Sequence, residues 1–465
     1  MPLTATRAAG VAAALLCLNA TRPIGAQPRA PQGAPQGAQQ DAATPDPRLY
    51  AALRWRNLGP FRAGRVSAVS GAIGQPGVFY AGFPGGGLWK TTSAGHVWFP
   101  VFDAIREVSS IGAVAVAPSD ANVVYVGTGD MITGGTLDQG NGVYKSTDAG
   151  ATWRAIGLAD TRHIQTILVD PRTPDVLLVG ALGDHIHAND ARGIYRSTDG
   201  GRTWRKTLHV DDSTGIAKLA SAPDVPDVVF ATSVRHWTPP GYAVGKYRSW
   251  QFGTAARPRP DTGRTGTAIY KSADGGVTWT ELRGAGLPRL LGRTAIAVAI
   301  GTRAQRLYLI TDDALYRSDD GGANWRQMAA DDARIHNGQG GYSAGVYVDP
   351  ANPDIVYTIN TAAYKSTDGG AHFTGMFGAP GGDDPQQLWI DPTNGQRILM
   401  GLDQGAIVSL DGGVTWSGWY NQSTEQLYHI STDNSFPYWV YAAQQDAGAV
   451  RTRARGNYGA VTIFD

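Results

Sequence analysis

The chain has 465 residues, a formal net charge of +1 and 17% charged residues, which excludes a nucleic-acid binder working through a basic surface. Its 61 glycines and 13 tryptophans stand against 5 methionines and 11 phenylalanines. That composition describes short strands joined by tight turns and excludes a helical bundle, because glycine supplies the positive φ of turns and interrupts helices.

Residues 1–26 read as a signal peptide. Arg7 precedes an apolar stretch, Ala8 to Leu18, too short to cross a bilayer, and Ile24-Gly25-Ala26 offers small residues for cleavage. The expected location is secreted or periplasmic. The one cysteine, Cys17, lies in this stretch, so the exported chain is expected to carry no thiol and no disulfide. A Gln/Pro/Ala-rich linker without apolar periodicity follows over 27–47 and reads as disordered. No later segment has the length and apolarity of a membrane span.

Residues 48–426 carry one recurring pattern, best seen as Ser146-Thr147-Asp148-Ala149-Gly150-Ala151-Thr152-Trp153. It returns with Asp199 and Trp204, Asp274 and Trp279, Asp320 and Trp325, and Asp411 and Trp416. Another copy, with Asp368, ends in Phe373, and the copy ending at Trp98 has Ser93 in place of the acid. The chemistry of the motif is local. The carboxylate accepts the turn's own N–H groups, glycine takes conformations that a Cβ forbids, and the aromatic residue opens the next strand with a large face to bury. These Asp and Trp positions therefore read as structural. Upstream of each copy, strand-like runs such as Ile111 to Ala117 and Val123 to Thr128 give four strands per unit of roughly 50 residues, the signature of propeller blades. The predicted fold is all-β, a seven-bladed propeller of four-stranded blades with Asp-box hairpins. Residues 427–465 form one more blade-like segment without an Asp box, either an eighth blade or the start of an incomplete second propeller.

Propellers bind ligands on the face formed by the loops between second and third strands and between blades. On that face the candidates are Asp130 in the loop from Gly129 to Asn141, His163 entering the third unit, and His185 and His187 in Asp184-His185-Ile186-His187. The two alternating histidines lack an obvious third ligand, and neither metal nor cofactor is assigned. An insertion in the fourth unit, about Ser233 to Thr267, gathers Trp237, Tyr242, Tyr247 and Trp250 with Arg248. Such rings stack on sugars or apolar peptide side chains, and the flanking cation suits a carboxylate.

The Asp boxes, Trp55-Arg56-Asn57, the run Gly86-Gly87-Leu88-Trp89-Lys90-Thr91-Thr92 and the segment Tyr438 to Asp446 together resemble the large secreted bacterial BNR/Asp-box proteins. These are similar to the sortilin/VPS10 N-terminal propeller and to xyloglucanase-type glycoside hydrolases. The resemblance implies a propeller forming the first part of a two-propeller protein. It also implies a pair of catalytic Asp residues, since one carboxyl must protonate the leaving oxygen while the other activates water. Asp446 matches one of them. The other belongs in the loop Ala81-Gly82-Phe83-Pro84-Gly85-Gly86-Gly87-Leu88-Trp89, which holds no acid. Sialidases also carry Asp boxes, but Phe61-Arg62-Ala63-Gly64 is only half of the segment they need. The resulting expectation is an exported scaffold that binds peptide, protein or glycan on its loop face, with glycoside hydrolysis of the xyloglucanase type as the alternative.

Overall fold

The computed structural model describes residues 46–50, 52, 58–59, 61–130, 138–235, 267–287, 294–311, 314–335, 344–379, 383–445 and 448–455. The signal peptide, nearly all of the linker and the aromatic insertion therefore lie outside the described residues. The chain divides into two compact units, Met1–Arg56 and Asn57–Asp465. In the first, a short 3-10 turn, Pro47–Tyr50, is capped by Asp46, whose carboxylate accepts the Arg48 N–H at 2.9 Å.

The second unit is built from antiparallel meanders, each in chain order. The first sheet comprises Ala68–Gly71, Phe79–Phe83, Gly87–Thr91 and Trp98–Pro100, and the second comprises Ile111–Ala117, Asp120–Thr128, Val143–Ser146 and Arg154–Ala155. The third comprises Ile164–Val169, Leu177–Ala181, Gly193–Ser197 and Arg205–Leu208, and the fourth Thr214–Ser221, Val229–Arg235, Ile269–Ser272 and Thr280–Glu281. Ala295–Val298, Leu307–Ile310, Leu315–Ser318 and Arg326–Met328 make the fifth; Gly345–Val348, Val356–Ile359, Ala363–Ser366 and Thr374–Phe377 make the sixth. Three strands each form the seventh, Gln387–Asp391, Asn394–Leu402 and Gly405–Ser409, and the eighth, Leu427–Thr432, Trp439–Gln444 and Gly448–Arg453.

First strands lie side by side around a centre. The first strand of the first sheet is wholly buried, whereas outer strands such as Arg154–Ala155 are exposed. Each sheet shares an apolar core with the next: Leu88 and Tyr80 pack with Val124 and Tyr144, and Tyr125 and Val143 with Leu177 and Val179. This continues around to Leu399 and Val408 of the seventh sheet, which pack with Val66, Phe79 and Trp98. The first seven sheets thus close into a ring, a β-propeller, with burial between consecutive sheets as its main stabilisation.

Closure is held by Arg397. Its guanidinium, almost fully buried, lies 4.2 Å from the Phe79 ring centroid and 5.1 Å from that of Trp389. It donates to the carbonyls of Ala72, Gln75, Pro76 and Val78 in the turn between the first two strands of the first sheet, and to Asp391 at 2.7 Å. The seventh sheet departs from the four-stranded pattern for a visible reason. Ser417 Oγ takes the Val408 N–H at 3.0 Å, a bond that a continuing strand would make with its backbone. The chain then turns inward, where the buried Gln422 donates to Ala406 O at 2.9 Å.

In the Asp boxes the carboxylates bond within their own turns. Asp148 accepts Thr152 N–H at 2.8 Å and the Thr152 hydroxyl at 2.6 Å, and Ser146 Oγ accepts Gly150 N–H at 2.8 Å. These bonds hold the Asp148 carboxyl down at about 2. Asp199, Asp274, Asp320 and Asp411 repeat the arrangement, and at Asp368 the partner is His372 Nδ1 at 2.6 Å. Where the acid is missing, Ser93 Oγ accepts Val97 N–H at 2.9 Å in its stead. Some box tryptophans also clasp the preceding sheet, Trp153 donating to Val101 O at 2.6 Å and Trp204 to Ile156 O at 2.7 Å.

Candidate functional site

Antiparallel order puts the turns between second and third strands, and the connections between sheets, on the face opposite the Asp boxes. On that face the first sheet presents Gly85-Gly86-Gly87, and three neighbouring segments crowd it. A Cβ on Gly85 would lie 3.8 Å from Asp138 Oδ2, one on Gly87 3.7 Å from Asp103 Oδ1, and one on Gly86 3.4 Å from Thr424 Cγ2. The glycine loop lacks an acid of its own but receives two exposed ones, Asp103 and Asp138, from the second sheet's flanks.

The Thr424 segment joins the seventh sheet to the eighth and pairs with the strap before the first sheet. Thr424 N–H donates to Arg62 O at 3.3 Å, and Gln444 Nε2 to Ala63 O at 2.8 Å. Glu425 sits at this junction, half-buried, its Oε1 accepting the Arg62 N–H at 3.1 Å. The Arg62 guanidinium lies 5.9 Å from the Tyr420 ring centroid, and among the described residues no cation comes within ion-pair distance of Glu425. Desolvation accordingly pushes its carboxyl up to about 7, outweighing the bonds it accepts. A carboxyl that keeps its proton near neutrality can donate it.

Asp130 lies behind the glycine loop, 2% exposed, with an oxygen 2.6 Å from Arg65 Nη2 and its N–H bonded to Ser110 Oγ at 2.8 Å. The pair braces the first sheet against the second. His163 is 1% exposed, with Nδ1 2.9 Å from Gly183 O, and burial pushes its pKa down. His185 and His187 fall in a turn organised by Asp184, which accepts the Ile186 N–H at 2.7 Å and lies 3.3 Å from His187 Nδ1. Beneath that turn the fully buried Arg192 donates to the carbonyls of Leu182, Asp184 and His187, and burial lowers its pKa to about 10. His163 and the histidine turn are thus brought together at the third sheet, apart from the glycine loop. Among the described residues no group of three metal-ligating side chains occurs.

Trp237, Tyr242, Tyr247, Arg248, Trp250 and Asp446 lie outside the described residues. Next to Asp446 in sequence, Gln445 donates its N–H to Gln426 O at 3.0 Å. Glu425 escaped sequence reasoning because a lone Glu in a connecting segment belongs to no motif. Its one signal was position, between the last Asp box and the segment bearing Asp446.

A BNR/Asp-box repeat model matches residues 195–206, the third strand, box turn and start of the fourth strand of the third sheet. A xyloglucanase of Acetivibrio thermocellus is 26% identical over 391 residues, 78% of this chain and 39% of that protein. One from Paenibacillus sp is 26% identical over 220 residues, 44% of this chain and 20% of that protein. This chain thus spans well under half the length of these curated relatives. Among solved structures, the GH74 xyloglucanase from Xanthomonas campestris matches with a TM-score of 0.58 at 20% identity, covering 85% of this chain and 60% of that one. The Niastella koreensis GH74 enzyme gives 0.57 at 18% identity, covering 88% and 61%. These solved structures speak for the fold. The chain is a BNR/Asp-box repeat β-propeller that resembles xyloglucanase-type hydrolases.

Proposed function

We propose that this is the glycan-recognising propeller of an exported glycoside hydrolase resembling the xyloglucanases, with its substrate laid across the loop face at the first sheet. The observation that carries this reading is Glu425, a half-buried carboxyl without an ion-pair partner among the described residues, whose neighbour Thr424 lies against the glycine loop. In the proposed mechanism Glu425 gives its proton to the leaving glycosidic oxygen and Asp446 activates water. This supplies the two carboxyl roles without an acid in the loop itself. Asp103 and Asp138 flank the loop and hydrogen-bond sugar hydroxyls, and the rings of Trp237, Tyr242, Tyr247 and Trp250 are of the kind that stacks on sugars.

The test is reducing-sugar release from xyloglucan. Turnover by the full chain, reduced about a hundredfold or more in both Glu425→Gln and Asp446→Asn, is expected for an acid and base pair. Wild-type turnover that survives Glu425→Gln would remove Glu425 from the chemistry. A binding scaffold for peptide, protein or glycan on the same face is the second reading, favoured by the missing acid in Phe83 to Gly87. Xyloglucan or peptide binding with no turnover would establish it over hydrolysis.

A further inference from the structure

Between the fifth and sixth sheets, within the closed ring, the rim carries a groove of about 870 Å³. One wall is the outer strand of the fifth sheet with the turn that follows it, Arg326 to Arg334, and the other is the box of the sixth sheet, Asp368 to Phe373. That box departs from its repeat at two positions, and both line the groove. The first is the aromatic residue. Where it is tryptophan, the indole can clasp the preceding sheet, as Trp153 does at Val101 O, Trp204 at Ile156 O and Trp279 at Thr207 Oγ1. Phe373 is the one box aromatic without an N–H to give, and it lies buried in the lining. Here Arg334 crosses the seam instead, donating to Phe373 O at 3.0 Å.

The second departure is His372. Threonine or asparagine holds this position in the other acid-bearing boxes and bonds the box carboxylate. His372 does the same through Nδ1, 2.6 Å from Asp368 Oδ2, but its ring has a second nitrogen. A carboxylate on one nitrogen orients an imidazole and fixes its tautomer, leaving the other nitrogen for a ligand. Nε2 belongs to a side chain that is 89% exposed, and among the described residues it has no partner.

The rest of the lining sets the kind of ligand. Arg326 and Arg334 stand against Asp331, Asp332 and Asp368, so neither anions nor cations are favoured as a class, whereas hydroxyl groups meet both donors and acceptors. None of the large apolar side chains exposed on the described surface lines the groove, so a peptide finds no apolar anchor there. We propose that this groove binds a neutral oligosaccharide, at a site on the rim separate from Glu425. Its volume lies in the range of small-ligand sites. The planar groups of Asp331, Arg326, Gln327 and His372 can hydrogen-bond neighbouring sugar hydroxyls, and Ala329 and Ala371 let a sugar ring approach closely.

The experiment is hydrogen–deuterium exchange of the full chain with and without a xyloglucan nonasaccharide at millimolar concentration. The sugar is expected to slow exchange about threefold or more over residues 326–334 and 368–374. The double variant His372→Thr, Phe373→Trp installs the repeat's own residues and fills the groove. It should melt no lower than wild type and lose that protection, while any protection around Glu425 stays. Should it fail to fold, Arg326→Ala combined with His372→Ala, both on exposed positions, makes the same test. An oligogalacturonate of similar length should protect these segments far less. No protection of the two segments in wild type, undiminished protection in the variants, equal protection by the oligogalacturonate, or protection by a casein digest in place of the sugar would overturn the proposal. The readout is binding, so it does not depend on turnover at Glu425.

Discussion

Glu425 and Asp148 are both carboxyl groups outside the strands, and their surroundings drive them in opposite directions. Asp148 is solvated and accepts a ring of local hydrogen bonds, so its charged form is favoured and its pKa falls to about 2. Glu425 loses water, and the backbone hydrogen bonds it accepts, one of them from Arg62, do not offset that loss, so its pKa rises to about 7. A carboxyl whose folded pKa exceeds its unfolded value of 4.5 stabilises the protein fully below pH 4.5. That contribution is lost as pH climbs through about 7. Thermal unfolding between pH 4.5 and 8 should therefore show a downward slope attributable to Glu425. Glu425→Gln, which keeps an acceptor for the Arg62 N–H, should flatten that slope, and an unchanged slope would show that this carboxyl is ionised throughout. None of this was legible in the sequence, because the desolvation of Glu425 depends on a strap more than 350 positions earlier. The Asp boxes were legible because every partner of Asp148 lies within four residues of it.

Among the elements, the repeat predicts units of four strands, and the first six sheets have four strands each. The seventh follows the pattern only through its third strand, since Ser417 replaces a backbone partner with its hydroxyl. A single serine after a box tryptophan gives no such warning in sequence. Nor does the sequence single out Arg397, one of 40 basic residues, as the clasp between last and first sheets. Replacing it with Ala would strip four carbonyls of a donor and leave Asp391, 3% exposed, without its cation. Breaking such a buried pair costs about 3 to 5 kcal/mol. Urea unfolding of Arg397→Ala should register that loss. A change below about 1 kcal/mol would show that apolar packing alone closes the ring.

At the scale of the whole molecule, ring closure brings the strap around Arg62, the glycine loop and the Glu425 segment to one edge of the loop face. The eighth sheet hangs from the same junction through Gln444 and Gln445. A chain that starts and finishes its ring at one place can assemble a site from segments that no local motif connects. The proposed chemistry makes a specific demand on that junction: Glu425 must be protonated to act, so hydrolysis must fail as pH rises through its pKa. The most direct measurement is the pH dependence of kcat/KM for xyloglucan hydrolysis by the full chain. An alkaline limb near pH 7 that is absent from the residual activity of Glu425→Gln is the predicted result. A profile whose alkaline limb is the same in both proteins, or a wild type without measurable hydrolysis at any pH, would contradict it.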